Sequence, residues 1–352
     1  MTSAFVTPRP ELRAKLHDVA REAGVSLATV DRALNQRPGV STRTLLRVQE
    51  ALQRLALQNE PTMAPQPRGG SWLLCFLLPS GQNSFVEQLR EALRALTPWL
   101  TEQHARVEVR TTDAFSPAAA SAAVRRLRGQ YDAVVLMLED HPLVRESVDR
   151  MAGDGTCIVT LVSDIDSRAR NYFVGIDNRA AGRTAATLLG RSLAGRSGPV
   201  GIVMGSHALH DHAERLQGFR EVMAAEHPAL TLLPPLECKD RPEAAQPLVA
   251  ALLAERPDLA GLYSIGAGND GIYAALRDSG AAGWVSWVCH ELTPQTRAAL
   301  LDGTASAVIG QSAAQEAQVA CRLALSRLTR QRSPETDAPI RIEIYLKDNL
   351  PP

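Results

Sequence analysis

From Ser71 onward, continuous apolar runs alternate with stretches that repeat apolar residues at helical spacing. The run Trp72–Leu78 is apolar at every position, which is typical of a parallel strand buried on both faces. Further strands are predicted at 107–110, 133–138, 157–162, 200–204, near Leu232, and at 261–265 and 284–289. Helices are predicted at 85–100, 118–128, 144–151, 180–193, 213–226, 244–255 and 272–279. About ten strand–helix units exceed one ordinary open sheet, so the pattern predicts an α/β body with two lobes, each built on a parallel sheet.

The N-terminal part of the chain follows a purely helical pattern. Gly24 stands where a tight turn between two short helices needs a positive φ. Ser26 is placed to cap the second helix by accepting a backbone N–H, and Ser41 is placed to cap a third helix. The apolar positions that would close this small core are Val19, Ala20, Ala23, Val30, Ala33, Leu45, Val48, Leu52 and Leu55. The spacing predicts an all-α helix-turn-helix module, whose second helix enters the DNA major groove.

A segment rich in proline and glycine separates the two patterns. Residues 59–70 hold three prolines and a Gly69-Gly70 pair, which is typical of a linker. The predicted domains are therefore a helix-turn-helix domain at 13–58, a linker or hinge at 59–70, and a ligand-binding body at 71–350. Within the body, lobe 1 is expected at about 71–177 and 312–338, and lobe 2 at about 178–311 and 339–350.

Charge is distributed unevenly along the 352 residues. The net charge is zero, yet residues 1–70 hold ten Lys and Arg against six Asp and Glu, and the remainder holds 28 against 32. The positive end coincides with the helical module, as expected of a nucleic-acid-binding part. Apolar residues make up 45% of the chain, which is enough for a large core, whereas aromatic residues make up only 4%. A ligand pocket is therefore expected to depend on polar groups.

Cysteine usage and the composition of the N-terminal residues suggest where in the cell the protein is located. The five cysteines are scattered and form no close pairs, so we expect reduced thiols in a cytoplasmic protein. The N-terminus lacks the apolar run of a signal peptide, and no segment approaches the ~20 apolar residues of a membrane span. We therefore expect no membrane partner.

Several motifs together resemble the lactose-repressor (LacI/GalR) family of bacterial transcription regulators. In the helical module these are Asp18-Val19-Ala20 through Ala28-Thr29-Val30, Arg32-Ala33-Leu34-Asn35 and Pro38-Gly39-Val40-Ser41; in the body they are 174–182, 214–219, 301–303 and 309–311. The resemblance spans nearly the whole chain. It implies a sugar-type periplasmic-binding-protein fold with two lobes, three crossovers and a ligand cleft. It further implies a non-enzymatic regulator without a cofactor, most simply a repressor that binds a palindromic double-stranded operator as a homodimer.

The resemblance and the groove geometry together suggest which side chains meet DNA. The candidates are Ser26, Leu27, Ala28, Thr29, Arg32, Asn35, Ser41 and Arg43. Arg32 is expected to read guanine, while Leu27 and Ala28 offer apolar contact such as with a thymine methyl. The three hydroxyl residues are expected to bind phosphates. Family members usually add a short hinge helix next, but Pro65 and Pro67 would interrupt a helix here.

Polar residues at the carboxyl ends of predicted strands suggest a site for a small sugar-like effector, since ligands of open α/β sheets bind at this edge. The candidates are Asn83, Phe85, Ser163, Asp164, His212, Asn269, Glu291 and Gln311. Two departures from the family are expected. Ala213 occupies the position where relatives often place a pocket arginine, and Glu291 stands where Asp is common.

Three other interpretations compete. The turn Gly266–Gly271 is a formal GxGxxG that follows a strand, with Glu291 twenty residues after Gly271, so an NAD(P)-dependent enzyme is one alternative. A solute-binding protein would share the body but needs no helix-turn-helix. The histidines His207, His210, His212 and His290 could bind a metal, although their irregular spacing favours a loop with one pocket histidine.

Overall fold

The computed structural model describes residues 16–34, 41, 44, 45, 47, 48, 50, 51, 67, 70–81, 83–266, 268–331 and 340–351. Within these ranges no helix is long and apolar enough to cross a membrane. Asn35, Arg43 and most of the predicted linker at 59–70 lie outside the described residues, as do the side chains of Leu27 and Ala28.

The N-terminal module contains the helices Leu16–Ala23 and Leu27–Leu34. Helical residues also occur between 44 and 51. The predicted apolar positions that the structure describes pack together with Ala51: they are Val19, Ala20, Ala23, Val30, Ala33 and Val48, with Val25 and Leu45 half-buried against them. This cluster is small, as expected of a module that depends on short helices.

The turn between the first two helices has the geometry that the sequence predicts. Gly24 adopts a φ of 59°, and the Ser26 hydroxyl accepts a hydrogen bond from the Thr29 amide at 3.2 Å. The Ser41 hydroxyl accepts from the Thr44 amide in the same way, also at 3.2 Å. Both cap predictions are thus confirmed, and the caps satisfy N–H groups that a helix start otherwise leaves unpaired.

Sheet 1 is entirely parallel. Its strands are β1 Trp72–Pro79, β2 Ala105–Thr112, β3 Ala133–Leu136, β4 Cys157–Leu161 and β5 Tyr172–Val174. They lie in the order β2-β1-β3-β4-β5. The helices around the sheet are Ser84–Ala95, Thr97–Glu102, Pro117–Leu127, Pro142–Gly153 and Ala313–Thr329. Apolar clusters fill both faces of this sheet, which explains the uninterrupted apolar run of β1.

Sheet 2 is mixed. Its strands are β6 Gly198–Met204, β7 Leu230–Leu232, β8 Leu236–Glu237, β9 Gly261–Ser264, β10 Ser286–His290, β11 Ala307–Gly310 and β12 Glu343–Tyr345. They lie in the order β12-β11-β10-β9-β6-β7, with β8 also paired to β6. The helices of this lobe are Asn178–Ser192, His210–Glu226, Pro242–Glu255, Asn269–Asp278 and Pro294–Leu301. The predicted α/β class with two sheets is confirmed, although β12 is antiparallel to β11.

Some predicted elements differ in their limits. The helix predicted at 85–100 is two helices, because Pro98 begins a new one after Leu96. The pattern also missed β5, β8 and β12, which have two or three residues each and are too short for a periodic signal. It missed the helices at 294–301 and 313–329 as well.

The chain passes between the two sheets three times. It leaves sheet 1 between Val174 and Asn178, returns between Gly310 and Ala313, and crosses again between Thr329 and Glu343. These connections hold the carboxyl ends of the two sets of parallel strands next to each other. A space between the sheets therefore lies where strand-end residues converge.

Two glycines allow the helices Asn178–Ser192 and His210–Glu226 to cross at backbone contact. A Cβ on Gly182 would overlap the carbonyl oxygen of Arg215, and a Cβ on Gly218 would overlap that of Arg179. The close approach fixes the position of the second helix, and with it the side chains that this helix sends toward the space between the sheets.

We predict that Gly218→Ala lowers the free energy of unfolding by about 1–3 kcal/mol, the usual cost of forcing extra volume into a packed region. Urea-induced unfolding followed by circular dichroism measures this change. Gly153→Ala is the matched control, because Gly153 also lies in a helix but has no atom within 4 Å of the position of an added Cβ. Equal stability of the two variants would contradict the inferred helix contact.

Candidate functional site

A cavity of about 620 Å³ lies at the carboxyl ends of the parallel strands of both sheets. From the sheet 1 side it is lined by Pro79, Ser80, Gly81, Asn83, Phe85, Asp113, Ala114, Phe115, Met137, Val162 and Ser163. From the sheet 2 side it is lined by Leu209, Asp211, His212, Arg215, Lys239, Asp240, Arg241, Pro242, Glu243, Gly266, Glu291 and Gln311. This volume suits a small molecule, since such pockets commonly measure ~300–1,000 Å³.

Left-handed backbone conformations occur where strands end at the cavity. Val162 follows β4 with a φ of 64°, and Glu291 follows β10 with a φ of 68°. The amide of Glu291 still donates to the Ile309 carbonyl oxygen at 2.8 Å, so the ladder continues to this residue before the chain turns. A positive φ is costly for a β-branched or long side chain, and such strain is concentrated at functional sites. Here it accompanies two side chains that line the cavity.

Arg215 is the most deeply buried cation at the cavity, with 2% of its surface exposed. Its Nε donates to Asn178 Oδ1 at 2.8 Å, and its Nη1 donates to the Ile265 carbonyl oxygen at 3.0 Å. Its Nη2 lies 4.0 Å from Asp211 Oδ2 and has no hydrogen-bond partner among the described residues. The guanidinium is thus held through Nε and Nη1, while its Nη2 amino group is buried without a partner among the described residues.

The expectation that the pocket lacks an arginine near Ala213 is wrong. Arg215 lies two residues further along the same helix, where it is buried and lines the cavity. The sequence did not reveal this, because an arginine on a polar-looking helix is more often a solvated residue. The local signal that could have found it is the pair of glycines that bring this helix against its neighbour.

Asp211 and His212 begin the same helix and face the cavity. The His212 Nδ1 accepts a hydrogen bond from the Gly205 amide at 3.2 Å, so the neutral ring carries its proton on Nε2. That Nε2 lies 3.7 Å from Asp211 Oδ2. Gly205 and Gly266 leave room for the ring, since a Cβ on either glycine would overlap it. The imidazole therefore presents a fixed N–H donor at this wall.

Glu291 and Gln311 are two further buried residues that line the cavity. The Gln311 Nε2 donates to Glu291 Oε1 at 2.8 Å. Burial raises the pKa of Glu291 to about 7, although Arg215 acts in the opposite direction. The Gln311 Oε1 and the Asp211 Oδ1 accept no hydrogen bond from any part of the chain that the structure describes. We call Asp211, Arg215, Glu291 and Gln311 the floor of the cavity.

Glu316 lies behind the floor, in the first turn of the helix that follows the second crossover. It is fully buried, and neither carboxyl oxygen has a hydrogen-bond partner within the described ranges. Burial, reinforced by Glu291, raises its pKa well above the ordinary value. Burial therefore favours the protonated form of this carboxyl group.

Six of the eight predicted ligand residues line the cavity: Asn83, Phe85, Ser163, His212, Glu291 and Gln311. Asn83 also caps the helix Ser84–Ala95, since its side chain accepts from the Phe85 amide at 3.0 Å. The Ser163 hydroxyl accepts from the His210 amide at 3.1 Å, which joins the two lobes beside the cavity.

Asp164 and Asn269 do not line the cavity. Asp164 accepts from the Thr160 hydroxyl at 2.6 Å and pairs with Arg170 at 2.8 Å. Asn269 donates to the His290 carbonyl oxygen at 2.8 Å, so it supports the segment that carries Glu291. A strand-end position brings a polar residue to the correct edge of the sheet, but the direction of its side chain depends on the turn that follows.

Several cavity residues were not predicted. Besides Arg215 these include Asp113, Lys239, Asp240, Arg241 and Glu243. The last four lie shortly after β8, a strand of two residues that gives no periodic signal. Lys239 and Asp240 both have positive φ values, 52° and 56°, which turn this loop toward the cavity.

The histidines do not converge. His207 contacts Glu237 at 2.5 Å, His210 lies 3.5 Å from Glu214, and the buried His290 ring contacts the Tyr263 hydroxyl at 2.9 Å. Of these four candidates, His212 is the one that lines the cavity. The arrangement agrees with one pocket histidine.

The glycines of the GxGxxG turn have packing roles of their own. Gly266 makes room for His212, and a Cβ on Gly271 would overlap the carbonyl oxygen of Pro242. Gly268 has a φ of 92° and begins the helix Asn269–Asp278. Contacts and turns within the protein thus account for all three glycines.

On the helix-turn-helix module, Ser26, Arg32 and Ser41 are exposed and Thr29 is half-exposed. Ser26 lies before the second helix and Arg32 within it. Arg47 donates from Nη2 to the Gly24 carbonyl oxygen at 3.4 Å and so ties a later helical residue to the turn. The module therefore presents polar groups around the start of its second helix.

Two family models match the sequence. The model described as bacterial regulatory proteins, lacI family, matches residues 15–58, and the periplasmic binding protein domain matches residues 74–332. No curated protein matches the chain.

Solved structures show the fold of the body. A solute-binding protein of an ABC transporter from Agrobacterium vitis, bound with alpha-D-tagatopyranose, is 18% identical with a TM-score of 0.70, covering 79% of this chain and 96% of that one. One from Burkholderia graminis, in complex with D-arabinose, is 18% identical with a TM-score of 0.73, covering 80% and 98%. GanP, a glucose-galactose binding protein from Geobacillus stearothermophilus, is 16% identical with a TM-score of 0.72, covering 80% and 99%.

We predict that Glu291→Gln changes the pH dependence of stability. Because the folded-state pKa of Glu291, about 7, exceeds its ordinary value of 4.5, the folded protein holds this proton more tightly than the unfolded chain. The wild-type protein should therefore lose stability relative to the variant as pH rises from about 4.5 to about 7, by roughly 1.4 kcal/mol for each unit of pKa difference.

Urea unfolding of both proteins at several pH values between about 4 and 8, a range that brackets both pKa values, measures this difference. Glu146→Gln serves as the control, because Glu146 is an exposed glutamate in an ordinary helix ion pair with Arg150. A stability difference between wild type and Glu291→Gln that stays constant across this range would contradict the prediction.

Proposed function

Since this chain belongs to the lacI family of bacterial regulatory proteins and carries a periplasmic binding protein domain, we propose that it is a transcriptional repressor controlled by a small sugar-like effector. The observation that carries the proposal is the joining of a capped helix-turn-helix module to a body whose cavity holds buried, unsatisfied polar groups. Two copies would bind the two halves of a palindromic operator, because a two-fold dimer matches two-fold DNA.

The chemistry of the floor supports a polyol as effector. Arg215 Nη2 offers a donor, while Asp211 Oδ1 and Gln311 Oε1 offer acceptors. A sugar hydroxyl both donates and accepts, so neighbouring hydroxyls would satisfy all three groups. Leaving such groups buried and unpaired costs free energy, which ligand binding would recover. The sugars bound by the structurally similar solute-binding proteins agree with this chemistry.

For DNA we propose that the second helix enters the major groove. Arg32 is exposed near its end and would read guanine through two hydrogen bonds. Ser26, Thr29 and Ser41 would contact phosphates, as capped helix starts commonly do. The proposal keeps Leu27, Ala28, Asn35 and Arg43 as further contacts, on the strength of the sequence alone.

Contacts between the lobes suggest how an effector would act. The Ser206 hydroxyl donates to Glu139 Oε1 at 3.2 Å, and the Asp140 amide donates to the Ala208 carbonyl oxygen at 3.3 Å. Both contacts flank residues that line the cavity, and they join the segment after β6 to the segment after β3. A ligand that draws the lobes together would shift lobe 1, which continues into the DNA-binding module, and change the separation of the two modules in a dimer.

The alternatives fit less well. An NAD-dependent enzyme would use the glycines of Gly266–Gly271 to approach a pyrophosphate, whereas here Gly266 and Gly271 contact His212 and Pro242. A transport protein that only binds a solute would not need the helix-turn-helix that the lacI family model matches at 15–58.

We predict that Arg32→Ala weakens binding to an operator selected from random DNA by roughly 5- to 150-fold, equivalent to about 1–3 kcal/mol for one bidentate guanine contact. Fluorescence anisotropy at fixed salt measures the change. Arg150→Ala is the control, because Arg150 is exposed on the body and pairs with Glu146 in the helix Pro142–Gly153. Equal loss in both variants, or no loss in Arg32→Ala, would contradict the proposed role.

We predict that at least one monosaccharide or polyol raises the melting temperature of the full chain and lowers its operator affinity. Arg215→Lys should abolish both effects, because lysine cannot keep the bonds to Asn178 and Ile265 while donating to a ligand. Arg256→Lys, at an exposed pair with Asp258, is the matched control. An effector that binds without changing operator affinity would refute the proposed regulation, and saturable binding of NAD would favour the enzyme instead.

A further inference from the structure

The floor of the cavity holds two buried carboxyl groups but one buried guanidinium. Asp211, Glu291 and Arg215 line it, and Arg215 Nη2 lies 4.0 Å from Asp211 Oδ2. Glu316 does not line the cavity, but it lies close enough to interact electrostatically with Asp211, Arg215 and Glu291. Three buried carboxyl groups therefore lie in the neighbourhood of one guanidinium, with the buried His212 beside Asp211.

Among the unpaired buried atoms of the floor, acceptor atoms outnumber donor atoms. Among the described residues, the floor acceptors Asp211 Oδ1 and Gln311 Oε1 lack a hydrogen-bond donor, whereas Arg215 Nη2 is the one floor donor that lacks an acceptor. Behind the floor, both oxygens of Glu316 also lack a donor. All four side chains are more than nine-tenths buried. A ligand that completes this floor must supply donors for Asp211 and Gln311 as well as an acceptor for Arg215.

Burial makes the carboxyl groups sensitive to a nearby cation. Burial raises the pKa of Glu291 to about 7 and that of Glu316 well above its ordinary value, and Arg215 only partly opposes the shift. Burial is the largest cause of both shifts, so a nearby cation would favour the ionised form of these carboxyl groups. A cation delivered into the floor would be stabilised by carboxylates that water does not screen.

The more exposed charged residues that line the cavity, which we call its rim, add no surplus of positive charge. Lys239 and Arg241 line the cavity there, but so do Asp113, Asp240 and Glu243. Sugar phosphates and sugar acids would therefore meet an acidic floor and a rim without surplus positive charge. Phosphate and carboxylate recognition instead uses clustered arginines.

We propose that the effector is a polyol that carries a protonated amine, such as an amino sugar or an imino sugar. The inference rests on the proposed function and refines its ligand. The ammonium group would lie against Asp211 and Glu291, where it donates several hydrogen bonds. Neighbouring hydroxyl groups would accept from Arg215 Nη2 and donate to Gln311 Oε1.

The test compares amines with oxygen counterparts of the same shape. Isothermal titration of the full chain at neutral pH would use D-glucosamine, D-galactosamine and D-mannosamine, each against its parent hexose and its N-acetyl form, and 1-deoxynojirimycin against D-glucose. We expect at least one amine to bind at least about tenfold more tightly than its neutral counterparts, as one unscreened charge contact allows. That preference should fall to within about twofold in Glu291→Gln and in Asp211→Asn, which remove one carboxylate each at nearly constant shape.

Glu146→Gln, which removes an exposed carboxylate on the body surface, should keep the full preference. The proposal is overturned if no amine binds, if a neutral sugar binds as tightly as its amine in every set, or if both floor variants retain the preference. Saturable binding of a neutral hexose without an amine preference would leave the proposed regulator intact and refute only the cationic effector. Operator binding by the same preparation reports separately on the regulator.

Discussion

The burial of the Arg215 guanidinium is the constraint on which the ligand side of this molecule depends. A buried charge needs partners, and Arg215 receives two of them from Asn178 and the Ile265 carbonyl oxygen. These partners belong to a neighbouring helix and to the residue that follows β9, so the arginine ties three segments of lobe 2 together. The glycine contacts between the helices 178–192 and 210–226 are what allow it to reach them.

The same constraint shapes the cavity. Asp211 lies one helical turn from Arg215, with Oδ2 4.0 Å from Nη2, and Glu291 has a φ of 68° where β10 ends at the cavity. The helix that carries Asp211 and Arg215 and the turn that carries Glu291 thus fix where these polar side chains begin. The floor combines buried, partly unpaired polar groups with a specific arrangement, which is common at binding sites.

Much of the architecture could be predicted from the sequence, because it depends on local patterns. The apolar run of β1 needs burial on both faces, and Ser26 and Gly24 carry the cap and the turn of the module within a few residues. Strand-end positions placed Ser163, Glu291 and Gln311 at the cavity for a similar reason, since parallel strands end at one edge.

The sequence by itself therefore determined the class of each part: a DNA-binding helical module, a two-sheet α/β body and the edge where a ligand would bind. Only the tertiary structure decided which polar side chains meet there. It brought in Arg215 and the loop after β8, and it turned Asp164 and Asn269 to other partners. The physical reason is that periodicity fixes the face on which a residue lies, whereas side-chain direction at a strand end depends on turns and helix crossings made by residues far away in the chain.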